Sequence, residues 1–327
     1  MQNNKKLISV TIPCYNDSAA VEEMHTRLVK VFETELPAYD YEIIYVDDHS
    51  PDETWAEIEK VCAVDDKVKG VRNLNNFGLS RNLYATLSYG AGDAVFALFG
   101  DLQDPPETLP DAVELWENGA KVVGIVRKNT FDKGLLALGR KAYYWIAKKF
   151  FQRPLIKGFA GSGLYDKSII DTIRSIEDVQ PYISGIIAEY VKDTQIVEVE
   201  QQESKRESGN WSFFRKYDYA MTSLTAYSKM LLRICTFIGA FVGVFSIIMA
   251  IIVVVQKLLY WDEFALGLPT ILVGMFFLGA VQLFFLGILG EYVLSINERS
   301  IKRPVVVIQE SINMDDEQFE TVKNKHE

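Results

Sequence analysis

The sequence predicts an α/β domain with a doubly wound, mostly parallel sheet, followed by interfacial helices and two membrane-spanning helices. The sheet is predicted because strand-like and helix-like segments alternate about every 25 residues in the first part of the chain. The spans are predicted by two runs without a charged residue, 234–256 and 264–290. Each run is long enough to cross roughly 30 Å of hydrocarbon at about 1.5 Å rise per residue.

Five apolar runs are predicted to be strands because they are rich in β-branched residues and are bounded by turn residues. These runs cover residues 7–12, 41–46, 68–73, 94–99 and 121–126. Helices are expected after the first three, beginning near Ser18, Pro51 and Ser80, because apolar residues recur there at helical spacing. Sequential strands of such a sheet bring their carboxyl ends into one crevice, where open α/β sheets bind ligands.

The composition argues against several classes of function. The chain has 327 residues and a formal net charge of −10, which argues against a nucleic-acid partner. Its three cysteines and three histidines are scattered, so they predict neither a disulfide framework nor a zinc site. The first residues lead directly into a strand-like run, and no secretory signal is expected there.

The stretch AVFALFGDLQDPPE, residues 94–107, ends a strand-like run in polar residues and stops at two prolines. Taken alone, it indicates either an acidic, proline-marked loop or a metal site that includes Asp101, Gln103 and Asp104. What surrounds it decides between the two interpretations.

Two other predicted strands also end in polar residues, at 13–17 and at Asp47-Asp48. Carboxylates accept hydrogen bonds from a base and a ribose, but they repel a diphosphate. A nucleotide site of this composition therefore requires a divalent cation, held by one or two oxygen ligands and the phosphates.

Other phosphate-binding motifs are missing from the sequence. There is no Gly-x-x-x-x-Gly-Lys-Ser/Thr loop, and Gly161-Ser-Gly163 lacks the third glycine of a dinucleotide fingerprint and follows no clear strand. The sequence thus disfavours kinases, ATPases and dehydrogenases.

Basic residues flank the two uncharged runs on one side. Lys229 and Arg233 precede the first run, whereas the link 257–263 between the runs carries two acids and one lysine. Three more basic residues follow the second run, at positions 299, 302 and 303. The positive-inside rule therefore predicts a two-helix hairpin with both flanks, and the N-terminal domain, in the cytoplasm.

The stretch 127–157 contains nine Lys or Arg residues and one acid, interleaved with aromatic residues. In an acidic protein this pattern favours an interfacial helix on anionic lipid over a solvated basic helix. Residues 211–230 have a similar character. The predicted domains are a cytoplasmic α/β domain, a juxtamembrane interfacial helix, a transmembrane hairpin and a cytoplasmic tail. Their boundaries are 1–210, 211–232, 233–298 and 299–327.

Four segments together resemble glycosyltransferase family 2. They are SVTIPCYND at 9–17, YVDDHSPDET at 45–54, Arg81-Asn82 after Asn76-Phe-Gly78, and DLQDPPE at 101–107. With the C-terminal hairpin, the chain is most similar to the polyprenyl-phosphate glycosyltransferases, which resemble dolichyl-phosphate mannose synthase. The resemblance covers about residues 7 to 300 and implies a GT-A type sheet.

The resemblance also implies an activity. It is the inverting transfer of one hexosyl or N-acetylhexosaminyl group from a UDP- or GDP-sugar to undecaprenyl or dolichyl phosphate at the cytoplasmic membrane face. The implied cofactor is Mg²⁺ or Mn²⁺. The implied partners are the two substrates and membrane lipids, and the sequence leaves a homo-oligomer open.

Residue roles follow from the resemblance by position. Pro13, Tyr15 and Asp17 would contact the base region of the nucleotide, and Asp47 and Asp48 would help to hold base and ribose. Asp101 would bind metal and diphosphate, with Gln103 as a further metal ligand. Two arginines would approach the phosphates and steer the acceptor. They are Arg127, after a strand, and Arg206, within KRESGNWS at 205–212.

The chain departs from the family pattern at three places. Phe99 stands where many relatives have the first Asp of Asp-x-Asp, and Asp17 replaces the usual Glu. Trp211 and Ser212 replace a Ser-Lys pair. The remaining candidates for the cation that completes the phosphate clamp are Lys205, Arg215 and Lys216.

Structural roles remain as alternatives for several of these residues. Asp47 or Asp48 would cap the helix that follows, Gln103 would be a hydrogen-bond donor in a loop, and Arg127 would be an ordinary surface arginine. Asn76 is expected to order its turn. The rival functions are a processive polysaccharide synthase, whose Gln-x-x-Arg-Trp motif is missing here, and an inactive nucleotide-sugar-binding membrane scaffold, for which Phe99 is the one hint.

Overall fold

The computed structural model describes residues 5–128, 155–202, 205, 221, 230–259 and 268–314. Three predicted features lie wholly or mostly outside the described residues: Arg206, most of the juxtamembrane helix predicted at 211–232, and most of the basic stretch 127–157.

The strands of the described residues form one eight-stranded sheet in the order β7-β5-β6-β4-β1-β2-β3-β8. The strands are β1 (Leu7–Cys14), β2 (Asp40–Asp47), β3 (Val68–Asn73), β4 (Ala94–Ala97), β5 (Val122–Arg127), β6 (Phe159–Asp166), β7 (Gln195–Val199) and β8 (Ile308–Ile312). The helices are α1 (Ser18–Thr34), α2 (Thr54–Val64), α3 (Leu79–Tyr89), α4 (Leu109–Glu117), α5 (Lys167–Ser175), α6 (Ile183–Tyr190), α7 (Met230–Leu259) and α8 (Leu268–Ser300). A short 3₁₀ helix, Pro106–Thr108, begins at the second proline of the acidic stretch.

The centre of the sheet is parallel, as the sequence predicts. β1 pairs in parallel with both β2 and β4, and β2 pairs in parallel with β3. Because β6 is antiparallel to both β4 and β5, β5 runs in the same direction as β4. The carboxyl ends of β4, β1 and β2 therefore lie side by side, and that of β5 lies at the same edge.

Side chains along β2 point alternately to the two faces of the sheet, and this alternation explains why the core has two layers. Ile43 and Tyr45 belong to the cluster that includes buried residues of α1 and α2, whereas Ile44 and Val46 belong to the cluster that includes buried residues of α3. Successive side chains of a strand point to opposite faces, so a strand with apolar residues at consecutive positions is covered by helices on both sides. This arrangement confirms the doubly wound prediction.

The sequence did not predict β6, and the reason is its glycines. Gly161 and Gly163 both have positive φ, of +106° and +147°, and a Cβ at Gly163 would lie 2.2 Å from the carbonyl oxygen of Val123. Glycine is needed here so that β5 and β6 can approach. The sequence analysis placed no strand at the Gly-Ser-Gly element, whereas the structure places residues 161–163 within β6.

The two C-terminal helices, α7 and α8, are long and apolar. The most apolar 18 residues within 232–256 of α7 have a mean hydropathy of 2.9, those within 274–300 of α8 have 1.8, and neither set is buried within the protein. Exposed aromatic side chains such as Phe241 and Phe276 cover these helices. By length and composition, both helices can cross a membrane.

The chain returns to the sheet after α8. β8 pairs with β3 in an antiparallel orientation, and Val305 and Val306, just before it, are 4% and 9% exposed. The side-chain amide of Asn313 donates to the backbone carbonyls of Cys62 and Val68, at 3.0 and 2.9 Å. The sequence did not predict this strand.

Candidate functional site

The loop after β1 lies against the loop after β4. Pro13 is buried at the end of β1, and its carbonyl accepts from the backbone N–H of Gly100 at 3.3 Å. A Cβ at Gly100 would lie 2.8 Å from Oδ2 of Asp17 and 2.9 Å from Sγ of Cys14, so only glycine allows this approach. The structure thus brings two of the predicted ligand-bearing strand ends into contact.

Within the β1 loop, Asp17 is buried and organises its own turn. Its Oδ2 accepts from the backbone N–H of Tyr15 at 2.9 Å, and its own N–H donates to the hydroxyl of Thr54 at 2.9 Å. Tyr15 is half-buried. The helix that follows begins at Ser18, and Asp17 is its N-cap residue without a side-chain capping bond.

Asn16 links the β1 loop to the β2 loop. It has a φ of +58°, and its N–H donates to the hydroxyl of Ser50 at 3.0 Å. Its side-chain carbonyl oxygen is buried without a hydrogen-bond partner in the described part of the chain. A buried acceptor of this kind is costly unless it is satisfied, so a ligand donor at this position would be stabilising.

Asp47, the last residue of β2, is completely buried. It accepts from both the N–H and the hydroxyl of Ser50, and its Oδ2 lies 3.5 Å from Nε of Arg72. Burial raises the pKa of Asp47, and the contacts with Ser50 and Arg72 oppose that rise only in part. In this structure, Asp47 reaches the β1 loop through Ser50.

Asp48 is 2% exposed and holds the turn between β3 and α3. It accepts from Asn73 Nδ2 at 2.9 Å and from the backbone N–H groups of Phe77 and Gly78 at 3.0 and 2.8 Å. Burial raises its pKa despite these donors. The N-cap of α2 is Glu53, which makes no side-chain capping bond, so the alternative that Asp47 or Asp48 caps this helix was wrong.

The β4 loop presents a different set of groups. Asp101 and Gln103 are half-buried, Asp104 is completely buried, and Leu102 between them has a φ of +59°. The backbone N–H of Gln103 donates to Oδ1 of Asp101 at 3.2 Å. This bond holds the backbone of Gln103 against the Asp101 carboxylate.

Arg127, at the end of β5, anchors the same loop. Its Nε and Nη2 donate to the two oxygens of Asp104 at 2.7 and 3.0 Å, and its Nη1 donates to Oε1 of Gln103. Burial lowers the pKa of Arg127, but Asp104 and Asp101 outweigh this effect and raise it overall. Arg127 is therefore not an ordinary surface arginine. The residue pattern did not indicate Asp104 as its partner.

The segment after β7 runs along the β4 loop. The backbone N–H groups of Gln202 and Lys205 donate to the carbonyls of Gln103 and Asp101, at 3.1 and 3.2 Å. The Lys205 ammonium is paired with Glu23. Of the cation candidates for the phosphate clamp, only Lys205 is described, since Arg206, Arg215 and Lys216 lie outside the described residues.

The donor set fits a hard divalent cation that substrate phosphates complete. No group of three or more His, Cys, Asp or Glu residues in the described part of the chain could hold a metal, and Phe99 is 8% exposed within the apolar core. Asp101 offers carboxylate oxygen. Gln103 offers a carbonyl oxygen whose second lone pair is compatible with its bond from Arg127. Mg²⁺ sites commonly use one or two protein ligands with phosphates and water.

Several residues that shape the site were missed or given only a structural role. Asn73 donates to Asp48, and also to Oδ1 of Asn82 at 3.2 Å, while Asn82 donates to the carbonyl of Val46 at 3.2 Å. The side chain of Asn76 accepts from the Gly78 N–H at 3.0 Å, which confirms that it orders its turn. A run of asparagines between a strand and a helix is the sequence signal that could have indicated this network.

Comparisons with known proteins show which family the chain is similar to. Residues 9–170 match the family described as Glycosyl transferase family 2. A putative glycosyltransferase of Bacillus subtilis, CsbB, is 31% identical over 93% of this chain and 92% of its own length. A bactoprenol glucosyl transferase of Shigella phage SfV is 29% identical over 92% of this chain and 98% of its own length.

Among solved structures, mannosyl-3-phosphoglycerate synthase from Rubrobacter xylanophilus is similar, with a TM-score of 0.49 and 16% identity. The match covers 68% of this chain and 73% of that one.

Proposed function

The chain belongs to glycosyl transferase family 2, and from that premise we propose that it transfers one glucosyl or related hexosyl group from a nucleotide-sugar to a polyprenyl phosphate. The observation that carries the proposal is the extent of the similarity. It covers more than nine tenths of the chain and of relatives named bactoprenol glucosyl transferases, including the two apolar helices. A soluble acceptor would not require those helices.

The crevice at the ends of β1, β2 and β4 is the proposed donor site. Pro13, Tyr15 and Asp17 would face the base, with Asp48 supporting the neighbouring turn and Asp47 acting through Ser50. The unpartnered carbonyl oxygen of Asn16 adds an acceptor for a base N–H. These assignments are supported by the adjacency of the three strand ends.

Asp101 and Gln103 would hold a divalent cation, Mg²⁺ or Mn²⁺, which when bound offsets the negative charge of the diphosphate. Arg127 fixes the side-chain oxygen of Gln103 and adds positive charge at the same edge. In the proposed reaction, a phosphate oxygen of the acceptor forms a bond to the anomeric carbon. The bond from that carbon to the diphosphate breaks, and the nucleoside diphosphate leaves, which inverts the configuration.

A lipid phosphate is already anionic near neutral pH, so the acceptor needs positioning more than deprotonation. Arg127 and Arg206 are proposed to steer it. The proposed domain boundaries are those that the sequence predicts, 1–210, 211–232, 233–298 and 299–327. Residues 305–312, from the C-terminal part, pack on the first domain.

The test of the reaction is a donor panel. The full-length protein in membranes is incubated with undecaprenyl phosphate and labelled UDP-glucose, UDP-N-acetylglucosamine or GDP-mannose. We expect label from UDP-glucose to enter the organic phase, and EDTA to prevent it. Label that appears only as free sugar, or only in a polymer, would contradict the proposal and favour a hydrolase or a processive synthase.

The proposed orientation places residues 1–220 in the cytoplasm and the α7–α8 link outside it. In a variant whose three native cysteines are serine, Asp262→Cys should react with an impermeant maleimide in intact cells. Asn118→Cys, at an exposed position of the sheet domain, should react only after permeabilisation. The opposite labelling pattern would reverse the orientation.

A further inference from the structure

The segment that follows α8 connects the apolar helices to the donor side of the sheet. We call residues 301–314 the C-terminal strap. Its strand, β8, pairs with β3, and the carbonyl of Val307 accepts from the N–H of Leu74 at 2.7 Å, beyond the end of β3. The strap lies outside residues 9–170, which match the family.

Arg72, on β3, lies between the strap and the β2 end. Its Nη1 lies 3.3 Å from Oε1 of Glu310 on β8, and its Nε lies 3.5 Å from Oδ2 of Asp47. The guanidinium also lies 5.7 Å from the ring centroid of Trp55. Nε of Arg72 is buried and makes no hydrogen bond in the described part of the chain, so its pairing with Asp47 is purely one of charge.

From Asp47, the contacts continue into the donor crevice. Asp47 accepts from the hydroxyl and the N–H of Ser50, and the hydroxyl of Ser50 accepts from the N–H of Asn16. Asn16 lies in the β1 loop between the predicted base contacts Tyr15 and Asp17. One unbroken series of polar contacts thus runs from Glu310 to the loop that would hold the nucleotide.

We infer that the C-terminal strap is a structural part of the nucleotide site, with Glu310 and Arg72 as positioning residues that act on the β1 loop through Asp47 and Ser50. This inference rests on the proposed function, and its ligand class is a nucleoside diphosphate. Arg72 does not touch the nucleotide. Its positive charge favours the charged form of a completely buried carboxylate, against the effect of burial, and that carboxylate orients Ser50.

The first experiment measures binding of UDP and GDP to the full-length protein in nanodiscs with Mg²⁺, by calorimetry. Arg72→Met should raise the Kd at least tenfold, whereas Arg72→Lys should recover part of the affinity. The matched control is Arg174→Met. Arg174 is similarly buried, with 17% side-chain exposure against 23% for Arg72, and it binds the carbonyls of Ser88 and Gly90 away from the crevice. The Arg174→Met variant should change the Kd for UDP or GDP less than twofold.

A pH series separates positioning from general destabilisation. The charged groups that act on Asp47 are Arg72, which lowers its pKa, and Asp52, which raises it together with burial. Removing Arg72 raises the pKa of Asp47 further, so the carboxylate protonates at a higher pH as the solution is acidified. Loss of UDP affinity with falling pH should therefore begin at a higher pH in Arg72→Met than in the wild type, and Arg174→Met should not shift it.

The second experiment tests the strap itself. Glu310→Gln removes one negative charge from β8, and Ser311→Lys adds one positive charge at the adjacent exposed position, but only the first removes the charge that pairs with Arg72. Because Glu310 is 43% exposed, we expect a two- to threefold rise in Kd for Glu310→Gln. We expect no change for Ser311→Lys.

The outcomes distinguish a failure of this inference from a failure of the proposed function. If the wild type binds UDP or GDP but Arg72→Met binds equally well, the inference fails and the proposed function stands. If Arg72→Met and Arg174→Met weaken binding equally, the effect is one of stability and the inference fails. If the wild type binds neither nucleotide, the proposed function fails, and the inference fails with it.

Discussion

The carboxylates at the end of β2 and those of the β4 loop look alike in the sequence but differ in their surroundings. Asp47 and Asp48 are almost completely buried, and both accept several hydrogen bonds from the protein. Asp101 is half-buried, next to the half-buried amide of Gln103. The β2 pair therefore belongs to the framework at this edge of the sheet, whereas the β4 loop keeps a partly accessible carboxylate there.

The β4 loop also contains both kinds of carboxylate, one fully buried and one partly accessible. Asp104 is completely buried and is bound at both oxygens by Arg127, while Asp101, three residues earlier, remains partly accessible. A buried carboxylate that is fully paired orders its neighbours, and breaking such a pair is costly. An accessible carboxylate can instead bind a ligand. Burial and donors, rather than residue type, decide which of the two roles an aspartate takes.

The largest expected effect is on turnover, when the partly accessible carboxylate of Asp101 is changed. Asp101→Asn should lower turnover on the order of 100-fold or more, because it removes a charge that would act in the transition state. Its oxygen can still accept from the Gln103 N–H, so stability should be nearly unchanged. The measurement is the initial rate of transfer to lipid with saturating Mg²⁺ or Mn²⁺. A rate within a few-fold of the wild type would remove Asp101 from the metal site.

The next largest expected effect is on the stability of the protein, when the buried carboxylate of Asp48 is removed. Asp48→Ala leaves Asn73 and two backbone N–H groups without their acceptor, which should cost about 2 kcal/mol after partial rescue by water. For a domain of this size that corresponds to about 4 to 8 °C in melting temperature. Thermal unfolding in detergent, followed by tryptophan fluorescence, measures it. The exposed Asp111→Ala is the control, and equal shifts for both variants would contradict the framework role.

Arg127→Lys tests whether the β4 loop depends on the fork of the guanidinium. Lysine keeps the charge but cannot bind both oxygens of Asp104 and Gln103 at once. We expect about a tenfold loss of turnover. The control is Arg27→Lys, since Arg27 binds both oxygens of Glu107 and is similarly exposed, at 22% against 20%. Unchanged turnover would show that only the charge of Arg127 matters.

The smallest expected effect concerns pH. Burial raises the pKa of Asp48 above its usual value, so the folded state holds this proton more tightly than the unfolded state. Stability contributed by Asp48 should therefore rise as pH falls through its raised pKa. The difference in unfolding free energy between wild type and Asp48→Asn should shift in favour of the wild type on going from pH 7 towards pH 4. A shift in favour of Asp48→Asn would mean that the three hydrogen-bond donors lower the pKa of Asp48 more than burial raises it.

Much of the donor site was predictable because its residues lie at strand ends. The β1, β2 and β4 runs carry periodic, local signals, and their parallel order brings 13–17, Asp47-Asp48 and 101–104 to one edge. The two long apolar helices were equally clear from the length of the charge-free runs. β6 was missed because Phe159–Asp166 contains glycine where strands usually have β-branched residues.

By itself, the sequence determined the parallel core, the two apolar helices and the positions of the polar strand ends, because each depends on residues close together in the chain. The tertiary structure decided which carboxylates are buried, how Arg127 is held by Asp104, and that β8 lies beside β3. Arg72 and Glu310 are 238 residues apart. No local pattern encodes such a contact, because it depends on how α8 and the strap return the chain to the edge of the sheet.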